Sequence, residues 1–399
     1  MERVVLFAGP AEDPYDPGLR SAVMEPPLGL LYLAAALRRS GSCEAVKLVD
    51  AYRDPAEVGR LEETLREFGA TQLWVSLMSQ DGARCFGGLA LRLRERLPHI
   101  QLVAGGKFFR NAPLEALRPG WNGFDAIVLG DADLEAERVL ACSGVHRCAP
   151  LPFVELPYPR RDLVDIRDYA GTRPPHFCVI GARGCVGNCS FCALAQRRPY
   201  RRAPAAVALE IEQLIVETGV GCYSIIDDLM PFDPDRFACY TEALGRLPEW
   251  VRLDVSWRAD RFTPETAAAL AAARVRIVRF GIEAIDPDLQ RLLGKPCSRE
   301  QIRNAVRWAR AEGLSAATYF MFGFPTDTEE SVAELLDFMG ELASETPVPP
   351  YLGVLRVLPG TGLERIYGPR PARGLPEERM LEVLAGWRRR FPDFFGAGA

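Results

Sequence analysis

Short apolar runs alternate with segments of helical periodicity along the first part of the chain. The runs are rich in Val, Ile and Leu, and the segments between them repeat apolar residues at helical spacing. This alternation predicts a parallel sheet with helices on both faces. Residues 1–145 should therefore form one doubly wound α/β domain of the Rossmann or flavodoxin type, which binds ligands at the carboxyl ends of its strands. We predict strands at 4–8, 45–49, 72–77, 100–104 and 125–129, and helices at 28–39, 57–68, 83–97 and 132–141.

A proline-rich stretch separates this domain from a second alternation of strands and helices. Four prolines between residues 149 and 159 cannot continue a helix or a central strand, so we assign 146–175 to a semi-rigid linker. The later strands predict a partial (β/α)6 barrel of the TIM type over 176–358, followed by a C-terminal helical tail over 359–399. Within the barrel, Ser298 and Gln301 have the spacing of a capping box. The predicted barrel strands are 177–181, 223–227, 252–257, 276–281, 316–321 and 351–357, and the tail helix is 377–390.

The composition is that of an ordinary globular protein. The 399 residues include 48 Lys and Arg against 53 Asp and Glu, a net charge of −5, and 48% are hydrophobic. At about 100–200 residues per domain, this length predicts two or three domains. The net negative charge disfavours nucleic acid as a partner. No apolar run reaches the ~18 residues of a membrane span, and the first residues read as a strand rather than a signal peptide. We therefore expect a cytoplasmic protein without a membrane partner.

Eleven cysteines, an odd number in a chain without an export signal, predict reduced thiols rather than a disulfide framework. Cys185, Cys189 and Cys192 form a C-x3-C-x2-C array, of which chance alone gives about 0.01 in such a chain. Glycines punctuate this segment, so it should be a loop at the carboxyl end of a strand. Three thiolates on one loop suit a 4Fe–4S cluster with one iron left open. A structural zinc site is the alternative, and Cys178 would be its fourth ligand.

The cysteine array, with Phe191 just before its last member, resembles the signature loop of radical S-adenosylmethionine (SAM) enzymes. The resemblance implies that the three cysteines hold a 4Fe–4S cluster whose open iron chelates SAM. It also implies reductive cleavage of SAM to methionine and a 5′-deoxyadenosyl radical, driven by a low-potential electron donor of the flavodoxin or ferredoxin type. The SAM-binding residues that it implies are Phe191, Asp227, Asp228, Arg258, Glu283 and Gly323.

The residues taken alone leave other roles open at these positions. Asp227 and Asp228 could cap the following helix. Arg258 and Glu283 could form a structural ion pair, and Gly323 could serve a turn. Their recurrence at the ends of successive predicted strands favours SAM binding, because a barrel of parallel strands gathers those ends at one edge.

Residues 1–145 resemble the cobalamin-binding domain that precedes the barrel in one branch of the same superfamily. The D-x-H-x-x-G motif that supplies the lower histidine ligand of cobalt is absent. The resemblance therefore implies cobalamin bound without a histidine ligand, with Met24, Glu25 or Met78 near its lower face. A domain that keeps the fold and binds no cobalamin is the alternative. Small residues past parallel strands let a large ligand approach the backbone, and the implied cobalamin-binding positions are Ser76, Met78, Gly105, Gly106 and Gly130.

These expectations define one leading hypothesis and two alternatives. The leading hypothesis is an enzyme that uses SAM and cobalamin to methylate an unactivated carbon of a small-molecule substrate. One alternative keeps the radical chemistry but gives rearrangement, cyclisation or oxidation without methyl transfer. The other is an iron–sulfur scaffold or regulatory protein without turnover. The sequence assigns no catalytic residue and does not identify the metabolite, because the loops that face a substrate carry no transferable code.

Overall fold

The structure is a computed structural model with two compact units, Met1–Arg173 and Pro174–Ala399. Each unit contains its own six-stranded parallel sheet, so the predicted α/β class is confirmed. Among the described residues, no helix is both long enough and apolar enough to span a membrane. The structure describes residues 1–9, 26–78, 80–110, 118, 120–148, 156–169, 176–193, 200–231, 233–369 and 371–391.

The sheet of the first unit has the strand order β2-β1-β3-β4-β5-β6. The chain adds β2 on one side of β1 and all later strands on the other, which places a topological switch point between β1 and β3. Both faces of the sheet are buried, with Val5 and Phe7 on one face and Val4 and Leu6 on the other. The strands are β1 Glu2–Ala8, β2 Cys43–Asp50, β3 Gln72–Ser76, β4 Gln101–Gly105, β5 Ala126–Leu129 and β6 Gly144–Arg147, and the helices are α1 Leu28–Arg39, α2 Glu57–Phe68, α3 Gln80–Arg96 and α4 Ala136–Leu140.

Strand β6 was not predicted, and the boundary expected at residue 145 falls inside it. It pairs only with β5 and forms the edge of the sheet, so its residues are half-buried or exposed and show no apolar run. Part of the proline-rich segment also packs on this unit. The Arg160 amide donates to the Leu31 carbonyl at 3.1 Å, and the Tyr169 hydroxyl donates to Asp50 Oδ2 at 2.8 Å. Residues 149–155 and 170–175 of the predicted linker lie outside the described residues.

The second unit adds each new strand of its sheet beside the previous one, in the order β14-β13-β12-β11-β10-β7. This is the predicted half-barrel, in which every strand of the sheet is parallel to its neighbours. The strands of the unit are β7 His176–Val179, β8 Ala182–Arg183, β9 Tyr200–Arg201, β10 Cys222–Ile225, β11 Arg252–Trp257, β12 Val275–Glu283, β13 Ser315–Phe322 and β14 Tyr351–Val354. Its helices are α5 Pro204–Thr218, α6 Pro234–Gly245, α7 Pro264–Ala272, α8 Pro287–Leu293, α9 Arg299–Ala311, α10 Glu329–Ala343, α11 Gly362–Tyr367 and α12 Glu377–Arg390.

A helix cap and a short antiparallel strand pair are two local features that end loops in this unit. The capping box at Ser298 is formed, with the Gln301 amide donating to Ser298 Oγ at 3.1 Å and the Ser298 amide donating to Gln301 Oε1 at 2.8 Å. Such caps stabilise a helix start by about 1 kcal/mol. Strands β8 and β9 form an antiparallel pair outside the main sheet, which was not predicted. This pair brings together the two ends of the chain segment that contains the three cysteines.

We predict that Gly106→Ala destabilises the first unit. Gly106 has a φ of 105°, and a Cβ there would lie 2.5 Å from the Leu77 carbonyl oxygen. Backbone strain and overlap together should lower the free energy of unfolding by about 2 kcal/mol or more, measured by urea or thermal denaturation. The matched control is Gly59→Ala in α2, where no heavy atom lies within 4 Å of the new Cβ. The control should raise stability by about 0.5–1 kcal/mol. Equal stability of the two variants would contradict the account.

Candidate active site

The three cysteines lie on the loop that follows β7, at the carboxyl edge of the second sheet. Their thiols are half-buried and form no disulfide. A Cβ at Gly187 would lie 3.3 Å from Cys185 Sγ and 3.9 Å from Cys189 Sγ, so these two sulfurs flank the glycine. The Gly187 amide donates to Cys185 Sγ at 3.3 Å, and the Cys192 amide donates to the Cys189 carbonyl at 3.1 Å. This donor set, three thiols on one tight loop with a backbone donor to sulfur, fits a 4Fe–4S cluster.

Two aspartates after β10 hold the start of the cysteine loop. Asp227 Oδ1 accepts hydrogen bonds from the amides of Gly181 at 2.6 Å and Ala182 at 2.8 Å. Asp228 Oδ2 accepts from the Gly184 amide at 2.7 Å. Both acids were predicted to bind SAM, and the structure adds a direct contact of each with the loop backbone. The Asp227 side chain is 3% exposed, so burial directs it toward the loop rather than toward solvent.

The far side of the loop is held by the second unit's later elements. The Ser190 amide donates to the Leu293 carbonyl at 2.9 Å, and the Leu363 amide donates to the Ser190 carbonyl at 2.8 Å. A Cβ at Gly362 would lie 3.0 Å from three atoms of Ser190, so only glycine allows this approach. Phe191 packs on an apolar cluster that includes Leu293, as its place before the last cysteine requires. The loop is thus fixed at both ends and along its apolar side.

Two cations lie beside Cys189. Arg258 Nη1 lies 4.0 Å from Cys189 Sγ, and the same guanidinium forms a two-point ion pair with Asp260 at 2.9 and 3.0 Å. Burial raises the pKa of Cys189, whereas Lys295 and Arg258 act in the opposite direction by favouring its thiolate. Positive charge at this position offsets the negative charge that bound thiolates carry.

Glu283 at the end of β12 is paired with Lys295, a residue that the sequence reasoning did not assign to the site. Lys295 Nζ lies 2.9 Å from Glu283 Oε1, and both side chains are mostly buried. Glu283 has a φ of 71° next to a register shift in the sheet, which turns its carboxylate toward Gly281. Lys295 Nζ also lies 6.0 Å from the centre of the Phe191 ring. Lys295 thus joins Glu283, one of the predicted SAM-binding residues, to the cysteine loop.

Gly323 follows β13 and is packed against the C-terminal tail. Its φ is 88°, and a Cβ there would lie 2.8 Å from Arg373 Nη1 and 3.1 Å from Met380 Sδ. The Gly323 amide donates to Asp327 Oδ2 at 2.6 Å, while Arg373 Nη1 donates to the Gly323 carbonyl at 3.2 Å. The glycine is therefore required by a tight turn, and its place at the carboxyl edge agrees with the position expected for it.

Charged and aromatic residues occupy the face of the half-barrel opposite the helices. Along β11 and β12, fully buried residues alternate with half-buried ones, and Asp254 and Arg279 belong to the half-buried set. Arg279 Nη2 lies 3.3 Å from Asp254 Oδ1 and donates to the Ile225 carbonyl at 3.1 Å. Tyr319 and Tyr351 contact each other on the same sheet, with ring centres 5.6 Å apart. Polar residues at every second position of the predicted strands were the signal that could have identified them.

The residues proposed for cobalamin lie together at the carboxyl edge of the first sheet. Ser76 is opposite Ala8 on one side and Gly105 on the other, so it lies at the switch point. Met78 is 54% exposed, and the Ser76 hydroxyl lies 3.7 Å from its sulfur. Gly106 and Gly130 follow β4 and β5, each with a positive φ. The small residues at this edge fit a large ligand that approaches the backbone.

None of the three histidines lies at the carboxyl ends of β1 to β4. His99 precedes β4 at its amino end, and His146 lies on the edge strand β6, 3.2 Å from Glu135 Oε2. His176 begins β7 in the second unit. Met24 and Glu25, the other residues considered for the lower face of cobalamin, lie outside the described residues.

Family models match both units of the chain. A radical SAM superfamily model matches residues 179–339, and a B12 binding domain model matches residues 18–140. The predicted resemblance to both domains is therefore confirmed. One region of the chain is thus similar to radical SAM proteins and another to B12 binding domains, and these matches indicate an enzyme.

The chain is also similar to curated relatives and to solved structures. An uncharacterized methyltransferase of Pyrococcus horikoshii is 26% identical over 363 residues, which cover 82% of this chain and 77% of the relative. The ribosomal protein uS12 methylthiotransferase RimO of Heliobacterium modesticaldum is 28% identical over 42% of this chain and 40% of its own length. The radical SAM methyltransferase TsrM of Kitasatospora setae, solved with cobalamin and a 4Fe–4S cluster, has a TM-score of 0.70 at 20% identity, covering 93% of this chain and 76% of its own. At that identity the likeness to TsrM shows the fold.

We predict that Asp227→Asn removes a pH dependence of stability. Burial raises the pKa of Asp227 to about 7 from its ordinary value of 3.8. Because the folded state binds this proton more tightly than the unfolded state, the wild type should lose stability as the pH rises from about 4 to about 7. Asparagine keeps an oxygen for the two loop amides but has no proton to lose. The free energy of unfolding of the variant should therefore rise relative to that of wild type over this pH range, by up to about 4 kcal/mol.

Chemical denaturation at pH values from 4 to 8 measures this difference. Asp228→Asn is the matched control, because that side chain also accepts a loop amide but is exposed. A difference between Asp227→Asn and wild type that stays constant across the range would contradict the assignment.

We predict that Lys295→Met lowers the reduction potential of the bound cluster. The substitution removes a cation beside Cys189 and leaves the Glu283 carboxylate without this partner. Loss of a nearby positive charge disfavours the added electron, by on the order of 50 mV. A redox titration followed by electron paramagnetic resonance measures the potential. Lys295→Arg keeps the charge and should stay close to wild type, whereas an unchanged potential in Lys295→Met would contradict the electrostatic role.

Proposed function

We propose that this enzyme is a cobalamin-dependent radical SAM methyltransferase that methylates an unactivated carbon of a small-molecule substrate. The observation that carries the proposal is the gathering of Cys185, Cys189 and Cys192 on one anchored loop at the edge of the half-barrel, in a chain that also has a B12 binding domain. A bound 4Fe–4S cluster with SAM would supply the 5′-deoxyadenosyl radical, and cobalamin would supply the methyl carrier. A low-potential flavodoxin or ferredoxin is the proposed electron donor.

The residues around the loop support this assignment by their charges and places. Arg258 and Lys295 concentrate positive charge beside Cys189, where thiolates and a SAM carboxylate would need it. Glu283 has a carboxylate at the edge of the sheet that suits a ribose hydroxyl. Asp227 and Asp228 would act as positioning residues, since their oxygens contact the loop backbone. Phe191 would contribute an apolar side chain to the wall of the SAM site, and Gly323 would contribute backbone to it.

Cobalamin binding is supported by the carboxyl edge of the first sheet. Ser76 lies opposite Ala8 at the switch point between β1 and β3, where doubly wound sheets bind their ligands, and Gly105 is its neighbour on β4. The histidines of this unit lie elsewhere, which agrees with cobalamin held without a histidine lower ligand. Met78, exposed beside Ser76, is the residue that we place nearest to the lower face.

A small polar substrate is supported by the side chains that alternate with the buried residues along the half-barrel strands. Asp254 and Arg279 contribute both signs of charge there, and Tyr319 and Tyr351 contribute aromatic surface with a polar end. Such a mixture orients a small molecule by a few polar contacts within an apolar wall.

We predict the outcome of anaerobic turnover with methyl-labelled SAM, dithionite, cobalamin and a small-molecule cell extract. Wild type should form 5′-deoxyadenosine and a product heavier by one labelled methyl group, detected by mass spectrometry. Triple replacement of Cys185, Cys189 and Cys192 by alanine should abolish both products, because the thiolates are the only protein ligands proposed for the cluster. Cys239→Ala, an exposed cysteine on α6, is the matched control and should keep both activities.

Each alternative has its own result. 5′-Deoxyadenosine without methyl incorporation would indicate rearrangement, cyclisation or oxidation. Neither product from cluster-loaded protein would favour a scaffold or regulatory role. An optical spectrum of protein purified anaerobically with cobalamin tests the first unit separately, and absence of corrinoid bands would contradict the cobalamin proposal.

A further inference from the structure

We propose that Glu135, His146 and Cys148 form a binding site for a zinc-class divalent cation in the first unit, distinct from the cysteine loop. One ligand atom from each of the three residues lies within 4.8 Å of the other two. Glu135 immediately precedes α4, whereas His146 belongs to the edge strand β6 and Cys148 follows its end. Residues two apart on an extended chain point to the same side, which brings the imidazole and the thiol together.

The spacing of the ligand atoms suits tetrahedral coordination. His146 Nε2 lies 3.2 Å from Glu135 Oε2. Zinc bonds of about 2.0–2.1 Å at a tetrahedral angle separate a nitrogen and an oxygen ligand by about 3.3 Å. The two atoms therefore already span one edge of such a tetrahedron. A set of one imidazole, one carboxylate and one thiolate selects zinc or a similar transition metal over calcium or magnesium, which prefer oxygen.

The charge around Cys148 favours a cation at this place. The carboxylates of Glu135, Asp131 and Asp133 lie close enough to the Cys148 thiol to act on it electrostatically. The Glu135 side chain is only 7% exposed, and the cation beside its Oε2 is Arg138 Nη1 at 3.4 Å, on a side chain that is 75% exposed. A divalent cation would offset the negative charge of this group.

Backbone contacts hold the three ligands in place. The Val139 amide donates to the Glu135 carbonyl at 3.0 Å, and the Cys148 amide donates to the Leu129 carbonyl at 2.9 Å. A Cβ at Gly130 would lie 3.2 Å from Cys148 Cβ, so the cysteine packs tightly against the end of β5. A cation here would join the start of α4 to the edge strand. The cation would fasten β6, which among the described residues pairs with β5 alone.

The test measures zinc in the cluster-loaded full-length protein after dialysis against a weak chelator. We expect about one zinc per chain, with X-ray absorption at the zinc edge showing one sulfur at about 2.3 Å and nitrogen or oxygen at about 2.0–2.1 Å. Cys148→Ser, close in size to the native residue, should lose the sulfur signal and weaken zinc affinity by about 100-fold or more. His146→Gln should weaken affinity similarly, and zinc should raise the melting temperature of wild type but not of these two variants.

Two controls separate this site from other thiols. Cys142→Ala removes a neighbouring half-buried cysteine that is not a proposed ligand, and it should keep the zinc. The triple alanine variant of the cysteine loop should also keep it, which distinguishes zinc at Cys148 from zinc in an empty cluster site. Absence of retained zinc in wild type, an unchanged sulfur signal in Cys148→Ser, or loss of zinc in the loop variant would each overturn the proposal.

Discussion

The cysteine loop of the second unit keeps its shape because carboxylates and carbonyls of the half-barrel accept hydrogen bonds from its backbone amides. Asp227 and Asp228 bind the first turn, and the Leu293 carbonyl binds the turn between the last two cysteines. A loop that must present three thiols to one centre cannot rely on its own side chains, since those thiols are needed as ligands. Its order therefore comes from neighbouring elements, which is the usual reason that sites on rigid scaffolds are well positioned.

The same arrangement explains the charges at the site. Desolvation disfavours a thiolate, and the cations Arg258 and Lys295 compensate for it at Cys189. Each cation is held in turn by an acid, Asp260 or Glu283, so that neither is buried without a partner. This chain of alternating charges connects the ends of β11 and β12 with the loop. Glu283 can take part because its positive φ redirects its side chain, a costly conformation that surrounding contacts maintain.

The first unit also has candidate binding residues at the carboxyl edge of its sheet, but these residues are small. Its parallel strands end in small residues at the switch point, and Gly106 brings the backbone against Leu77 where a side chain would not fit. At the other end of the sheet, β6 is short and half-exposed, and Glu135, just before α4, lies close to His146 and Cys148 beside it. One unit therefore offers two chemically distinct places, an open edge of small residues and a compact group of ionisable side chains.

The sequence by itself determined the two α/β units, nearly all of their strands, and the position of the cysteine array on a loop after a strand. Apolar periodicity predicts burial on both faces of a parallel sheet. A cysteine array can be recognised in a sequence because its ligands are close in the chain. Strand β6 and the β8–β9 pair escaped prediction because they are short and carry no apolar run. The part played by Lys295, the contacts of Asp227 with the loop amides, and the meeting of Glu135 with Cys148 were decided only by the tertiary structure. Each joins residues from different elements, and the local pattern of a chain carries no information about which distant side chains the packing of those elements brings together.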